Sequence, residues 1–132
     1  MTLDERKEKA VYLKHNGCNC AQAVLMSYSD VLGLNDELLL KISSGFGQGM
    51  GCMKATCGAL IGAVNCCGIL NDTGVATKFL AKEMIQGFEE KSGATICEDL
   101  KGIKTKVVLC SCEDCIRNAI DVMDTTLNKY KK

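Results

Sequence analysis

Cys57-Gly58-Ala59-Leu60-Ile61-Gly62-Ala63-Val64-Asn65-Cys66-Cys67-Gly68-Ile69-Leu70 is the stretch that decides the fold. It carries no charge and one amide, Asn65, and its small residues fall in two i,i+4 rows. Gly58, Gly62 and Cys66 form one row; Ala59, Ala63 and Cys67 form the other. Residues four apart stack on one helix face, and rows of small side chains let a second helix come close. The spacing predicts a buried central helix over about 57–70, in which Cys66 and Cys67 are core. The run is shorter than the ~20 apolar residues a transmembrane helix needs, so no membrane span is expected.

Helical periodicity also accounts for the flanking sequence, which has no proline and no sustained apolar–polar alternation. A first helix is expected over about 3–14, with Thr2 and Glu5 as a capping box and Asn16-Gly17 as its stop. A second, over about 20–31, follows Asn19 and closes at Gly33. A third begins after Asn35, carries Leu38, Leu39 and Ile42, and dissolves at Ser43-Ser44-Gly45. Beyond the central helix, another follows Asn71-Asp72-Thr73, with Phe79, Leu80, Met84, Ile85 and Phe88 as its apolar face and Gly93 as its end. A short turn over 97–100 and a last helix over about 112–127 complete the chain, and the lysine-rich end from Lys129 to Lys132 frays. The expected fold is all-α, a compact bundle of about five to seven helices in a single domain spanning the chain.

Sixteen basic residues balance sixteen acidic ones, for a formal net charge of zero. That argues against a nucleic-acid arm or an acidic tail. The charged start, from Met1 to Lys9, does not resemble a secretory signal, so a soluble, cytoplasmic protein is expected. Against that background the ten cysteines stand out. Thiols in the cytosol stay reduced, and the aliphatic content suffices for a core without covalent staples, so metal binding or reversible thiol chemistry is preferred to a disulfide framework.

Four of the ten share a local setting. Cys20 follows Asn19, Cys57 follows Thr56, Cys97 lies two after Thr95, and Cys112 follows Ser111. Each preceding residue is a good N-cap, and Thr95/Glu98 and Ser111/Asp114 have capping-box spacing. Four thiols are thus expected in the first turns of four helices, where unpaired N–H groups and the helix dipole favour a thiolate as ligand or nucleophile. Cys112 and Cys115 form a C-x-x-C pair, and Cys110 extends it to C-x-C-x-x-C. Cys52, near Cys57 in the glycine-rich stretch Gly45-Phe46-Gly47-Gln48-Gly49-Met50-Gly51, is an additional candidate ligand, and Cys18 reads as a spare thiol. The glycine stretch lacks the lysine and hydroxyl residue of a P-loop and follows no strand, so it reads as a tight backbone passage. His15 reads as a surface residue, and Met50 and Met53 as loop packing rather than copper ligands.

Asn19-Cys20-Ala21-Gln22-Ala23-Val24, Gly49-Met50-Gly51, Cys57-Gly58-Ala59-Leu60-Ile61-Gly62, Cys97-Glu98-Asp99-Leu100 and Cys115 ahead of an alanine-containing helix follow in an order that resembles the C_GCAxxG_C_C family of redox-active proteins. The resemblance implies that Cys20, Cys57, Cys97 and Cys115 are the family cysteines, with Cys112 competing for the last place. Relatives include split-Soret cytochromes c, which carry haem and are associated with an iron–sulfur site. This chain has no C-x-x-C-H, so covalent haem attachment is not expected.

The leading functional reading is an iron–sulfur cluster protein that transfers electrons to a redox partner protein. Its candidate ligands are Cys20, Cys57, Cys97, Cys112 and Cys115, with Cys52 as a further cofactor-binding residue. A cluster-free thiol–disulfide oxidoreductase or redox sensor on Cys112, Cys115 and Cys57 stands second. Structural zinc and a helical interaction module rank below these, because only one close cysteine pair of zinc type is present. A homodimer stays open, as does any enzymatic activity.

Overall fold

The computed structural model describes residues 1–131. Nine helical segments are present among them, six of seven residues or more, with no β-strand. They are α1 (Leu3–His15), α2 (Cys20–Met26), α3 (Ser29–Leu32), α4 (Asp36–Ser43), a π-type turn (Gly49–Met53), α5 (Gly58–Leu70), α6 (Thr77–Ser92), α7 (Cys97–Lys101) and α8 (Cys112–Tyr130). The all-α expectation holds, with somewhat more helices than five to seven. Among the described residues no helix is long and apolar enough to cross a membrane.

Local caps set several helix starts. Thr2 Oγ1 accepts from the Glu5 N–H (3.1 Å) while Glu5 Oε1 accepts from the Thr2 N–H (2.9 Å), and Asn19 and Gln22 exchange the same pair at 2.8 and 2.9 Å. Each reciprocal pair satisfies two otherwise orphaned donors. Asn35 caps α4 through the Leu38 N–H (3.2 Å), and Ser111 caps α8 through the Asp114 N–H (3.1 Å).

α5 is the centre of the bundle, packed against α2, α6 and α8. Ala59, Ala63, Cys66 and Cys67 are fully buried, as the two small-residue rows predict. Gly62 is where α5 meets α2 most closely. A Cβ there would stand 2.7 Å from the Ala21 carbonyl oxygen and 3.1 Å from Ala21 Cα. This contact brings the start of α2, with Cys20, against the start of α5, with Cys57.

The expected helix over 20–31 divides into α2 and α3. The Ser27 carbonyl, which would continue the ladder, is taken by the Arg6 guanidinium at 2.8 Å; Ser27 Oγ bonds back to the Val24 carbonyl at 2.7 Å. Arg6 also pairs with Asp30 (2.7 Å) and lies over the Tyr28 ring, 4.4 Å from its centroid. The helix expected directly after Asn71-Asp72-Thr73 starts instead at Thr77. Asn71 Oδ1 folds the intervening chain by accepting from the Thr73 N–H (3.0 Å), and Asn71 Nδ2 donates to the Val75 carbonyl (2.8 Å). On α6, Leu80, Met84 and Phe88 are buried, whereas Phe79 and Ile85 face outward. α8 runs through Tyr130, with Lys129 bonded to Glu83 at 2.7 Å, so the frayed end is shorter than expected; Lys132 lies outside the described residues.

Candidate functional site

Backbone pairing sets Cys57 beside Cys97. The Cys57 N–H donates to the Thr95 carbonyl (2.8 Å) and the Cys97 N–H to the Ala55 carbonyl (3.0 Å), around an isolated antiparallel bridge between Thr56 and Ile96. Thr56 and Thr95 therefore do not act as the expected side-chain caps: Cys57 is itself the N-cap of α5, and Ile96 precedes α7. The glycine-rich passage closes over this pair. Gly49 has φ +58° and a Cβ there would come within 2.7 Å of Cys97 Cβ, so the backbone passes where no side chain fits.

Cys20, Cys57, Cys97 and Cys112, from the starts of α2, α5, α7 and α8, line one cavity of about 700 Å³. Lys14, Cys18, Gln48, Met53 and Lys101 also contribute to its wall, and among the described residues no carboxylate does. All ten cysteines are free thiols. Cys112 is half-buried beside Cys20, while Cys115, one turn further along α8, is fully buried beside Cys57 and hydrogen-bonds to the Cys110 carbonyl (3.8 Å). The cavity thus receives Cys112 directly and Cys115 only through Cys57. Cys52 is exposed, with its thiol turned back on the Gly49 carbonyl at 3.6 Å, and does not line the cavity. Cys110 faces Asn118 (3.7 Å) rather than the cavity. His15 is on the surface, 3.3 Å from Glu113. Among the described residues no three His, Cys, Asp or Glu side chains form a group that could hold a metal ion.

The thiols fall into unequal pairs. A hydrogen bond from Cys115 lowers the Cys57 pKa to about 7 against the cost of burial, helped by the Leu60 and Ala59 N–H groups at the start of α5 and by Lys101. Cys20 does the same for Cys112, which is lowered to about 5 with help from Lys101 and Lys14. In return the pairing raises Cys115 and Cys20, whose protons are held for their partners. Burial raises Cys97, with the Cys57 charge adding to it. Outside the site, burial pushes Cys66 up to about 12. A low-pKa thiolate beside a protonated thiol is an arrangement suited to nucleophilic sulfur chemistry or to metal ligation.

A scan against protein-family models matches residues 18–126 to the family described as "Putative redox-active protein (C_GCAxxG_C_C)". The chain belongs to the C_GCAxxG_C_C family. No curated protein and no solved structure matches it.

For this C_GCAxxG_C_C protein the motif residues have separable jobs. Cys20 and Cys57 present sulfur, Gly58 and Gly62 let neighbouring backbone pass within contact of α5, and Ala59 fills the core. A Cβ on Gly58 would stand 2.5 Å from the Phe46 carbonyl oxygen, so the glycine stretch and α5 share that space. The family's description and the ten cysteines point to redox function. Sequence reasoning missed Lys101, whose Nζ lies 3.7 Å from Cys115 Sγ and 3.4 Å from the Cys110 carbonyl. Its signal was its place four residues after Cys97, one turn along the same helix face.

Proposed function

We propose that this protein is an iron–sulfur redox protein whose cluster is held by Cys20, Cys57, Cys97 and Cys112 and which exchanges electrons with a partner protein in the cytoplasm. One observation carries the reading: four thiols from four helix starts line a single cavity that no carboxylate enters. The donor set fits the group. Thiolates are the usual cluster ligands, and these four come from separate helix starts into one cavity.

The cluster, when bound, supplies one-electron chemistry. The protein's own residues do the rest. The Ala59 and Leu60 N–H groups stabilise negative charge on the Cys57 sulfur, as backbone donors do around cluster ligands. Met53 and Gly58 narrow the cavity around the thiols. Cys115 stands behind Cys57 as a reserve thiol. The cytosol keeps such thiols reduced and available.

A second reading rests on the same pairs. Cys57 beside Cys115 and Cys20 beside Cys112 are each a thiolate next to a thiol, as a dithiol–disulfide couple requires. The two readings separate on protein purified without oxygen and without added metal. Iron and acid-labile sulfide in matching amounts, with a broad absorption band near ~400 nm, support the cluster. A colourless, iron-free, folded protein that reduces small disulfides contradicts it and makes the dithiol couple the function.

A further inference from the structure

Among the described residues Lys101 is the lysine whose ammonium group hydrogen-bonds a thiol, that of Cys115 directly behind Cys57, and it forms no ion pair with a carboxylate. It comes from α7, one turn after Cys97, and its stem and head are half-buried. Its Nζ bonds the Cys110 carbonyl at 3.4 Å and Cys115 Sγ at 3.7 Å, and its field reaches Cys57 and Cys112. The neighbouring lysine of the same segment, Lys104, is by contrast exposed and paired with Glu98 at 3.3 Å. A half-buried cation is costly unless an anion accompanies it. Burial works against the Lys101 charge, and the surrounding sulfurs more than offset it, so its pKa is raised.

We propose that Lys101 is a positioning residue that sets the reduction potential of the site by holding a fixed positive charge against its sulfurs. Reduction adds negative charge there, whichever couple operates. A cluster gains one electron. A disulfide gains two electrons as its S–S bond breaks and takes up one proton, leaving one thiolate and one thiol, as in the Cys57–Cys115 and Cys20–Cys112 pairs. In both cases a nearby cation stabilises the reduced form more than the oxidised one, so removing it lowers the potential. Lys14, also on the cavity wall, acts on Cys20 and Cys112 through its charge alone and hydrogen-bonds neither. Its contribution is smaller. The inference rests on the redox reading of the site and is independent of which couple is present.

The test is a mediated redox titration of the full chain, prepared without oxygen, as wild type, Lys101→Met, Lys101→Gln, Lys101→Arg and Lys14→Gln, with iron and sulfide assayed on each sample. Lys101→Met is expected to favour the oxidised form by about tenfold, which is about 59 mV for a one-electron couple and about 30 mV for a two-electron one. Lys101→Arg should stay near wild type, and Lys14→Gln should move less than Lys101→Met. A helical circular-dichroism spectrum identifies folded variants, and Lys101→Gln carries the comparison where Lys101→Met fails to fold. An unshifted midpoint in a folded, uncharged variant overturns the proposal. So does an Lys101→Arg shift as large as that of Lys101→Met. The iron and sulfide values decide the cofactor separately: iron-free wild type sinks the cluster reading while the dithiol midpoint still tests Lys101.

Discussion

Replacing Gly62 with alanine should destabilise the protein, although alanine is the better helix former. Two effects of opposite sign compete in this single methyl group. Helix propensity favours alanine over glycine by about 1 kcal/mol in a helix interior. Against it, the new Cβ would lie 2.7 Å from the Ala21 carbonyl oxygen and 3.1 Å from Ala21 Cα. These are backbone atoms and cannot rotate away, so α2 must shift from α5. Overpacking of this kind costs about 1–3 kcal/mol, and a rigid backbone contact belongs at the upper end. The net expectation is a loss of about 2 kcal/mol, or about 7 °C in Tm for a chain of this length. Gly68→Ala is the internal control. It lies in the same helix, and its Cβ would meet only the Thr77 Cγ2 methyl at 3.7 Å, an ordinary contact. Thermal unfolding followed by circular dichroism at 222 nm reads both variants. Gly68→Ala should be neutral or slightly stabilising. A Gly62→Ala protein as stable as wild type, or more so, would refute the close α2–α5 contact as the reason for glycine.

Arg6→Leu removes the guanidinium that holds the Ser27 carbonyl and stacks on Tyr28, and should cost about 2 kcal/mol in urea unfolding at neutral pH. The ion pair with Asp30 holds that carboxyl below its ordinary value of 3.8, so this part of the stability is present above that value and is lost as pH falls through the lower folded one. The gap between wild type and variant should therefore narrow in acid; a gap that widens would be inconsistent with the pairing. In metal-free protein, Cys112 should be alkylated by iodoacetamide at pH 6, because its pKa is about 5, whereas buried Cys66 should stay unmodified. Peptide mapping by mass spectrometry reads this directly, and a Cys112 that reacts only above pH 8 would contradict the Cys20–Cys112 pairing.

What was legible in the sequence was what is decided within a few residues. Thr2 with Glu5, and the caps Asn19, Asn35 and Ser111, act on N–H groups three positions away, so their helices start where expected. The central helix was legible because its small-residue rows are a packing instruction in themselves. The break at Ser27 was hidden because its cause, Arg6, lies on another helix. The start of α6 was misread because Asn71 closes a turn of its own before Thr77. Helix-start chemistry singled out Cys20 and Cys112, both of which line the cavity. Cys57 and Cys97 were singled out for a capping role of Thr56 and Thr95 that these residues do not have, since they serve the bridge that joins their loops. The β-branched residues Thr56, Thr95 and Ile96 were the available signal for that bridge. The choice between Cys112 and Cys115 depends on the rotation of α8, which puts one on the cavity wall and the other beneath it. Nothing in the spacing of Cys52 revealed that the left-handed residues of its loop, Met50 and Met53 among them, would leave it outside.

The most direct test of the account is the iron content of single serine variants, purified without oxygen and normalised to folded protein. Serine at Cys20, Cys57, Cys97 or Cys112 should in each case reduce iron and sulfide sharply, while Cys52→Ser and Cys67→Ser should retain wild-type amounts. Iron that survives all four substitutions, or that is lost equally in Cys52→Ser, would contradict the claim that Cys20, Cys57, Cys97 and Cys112 form one metal-binding redox site.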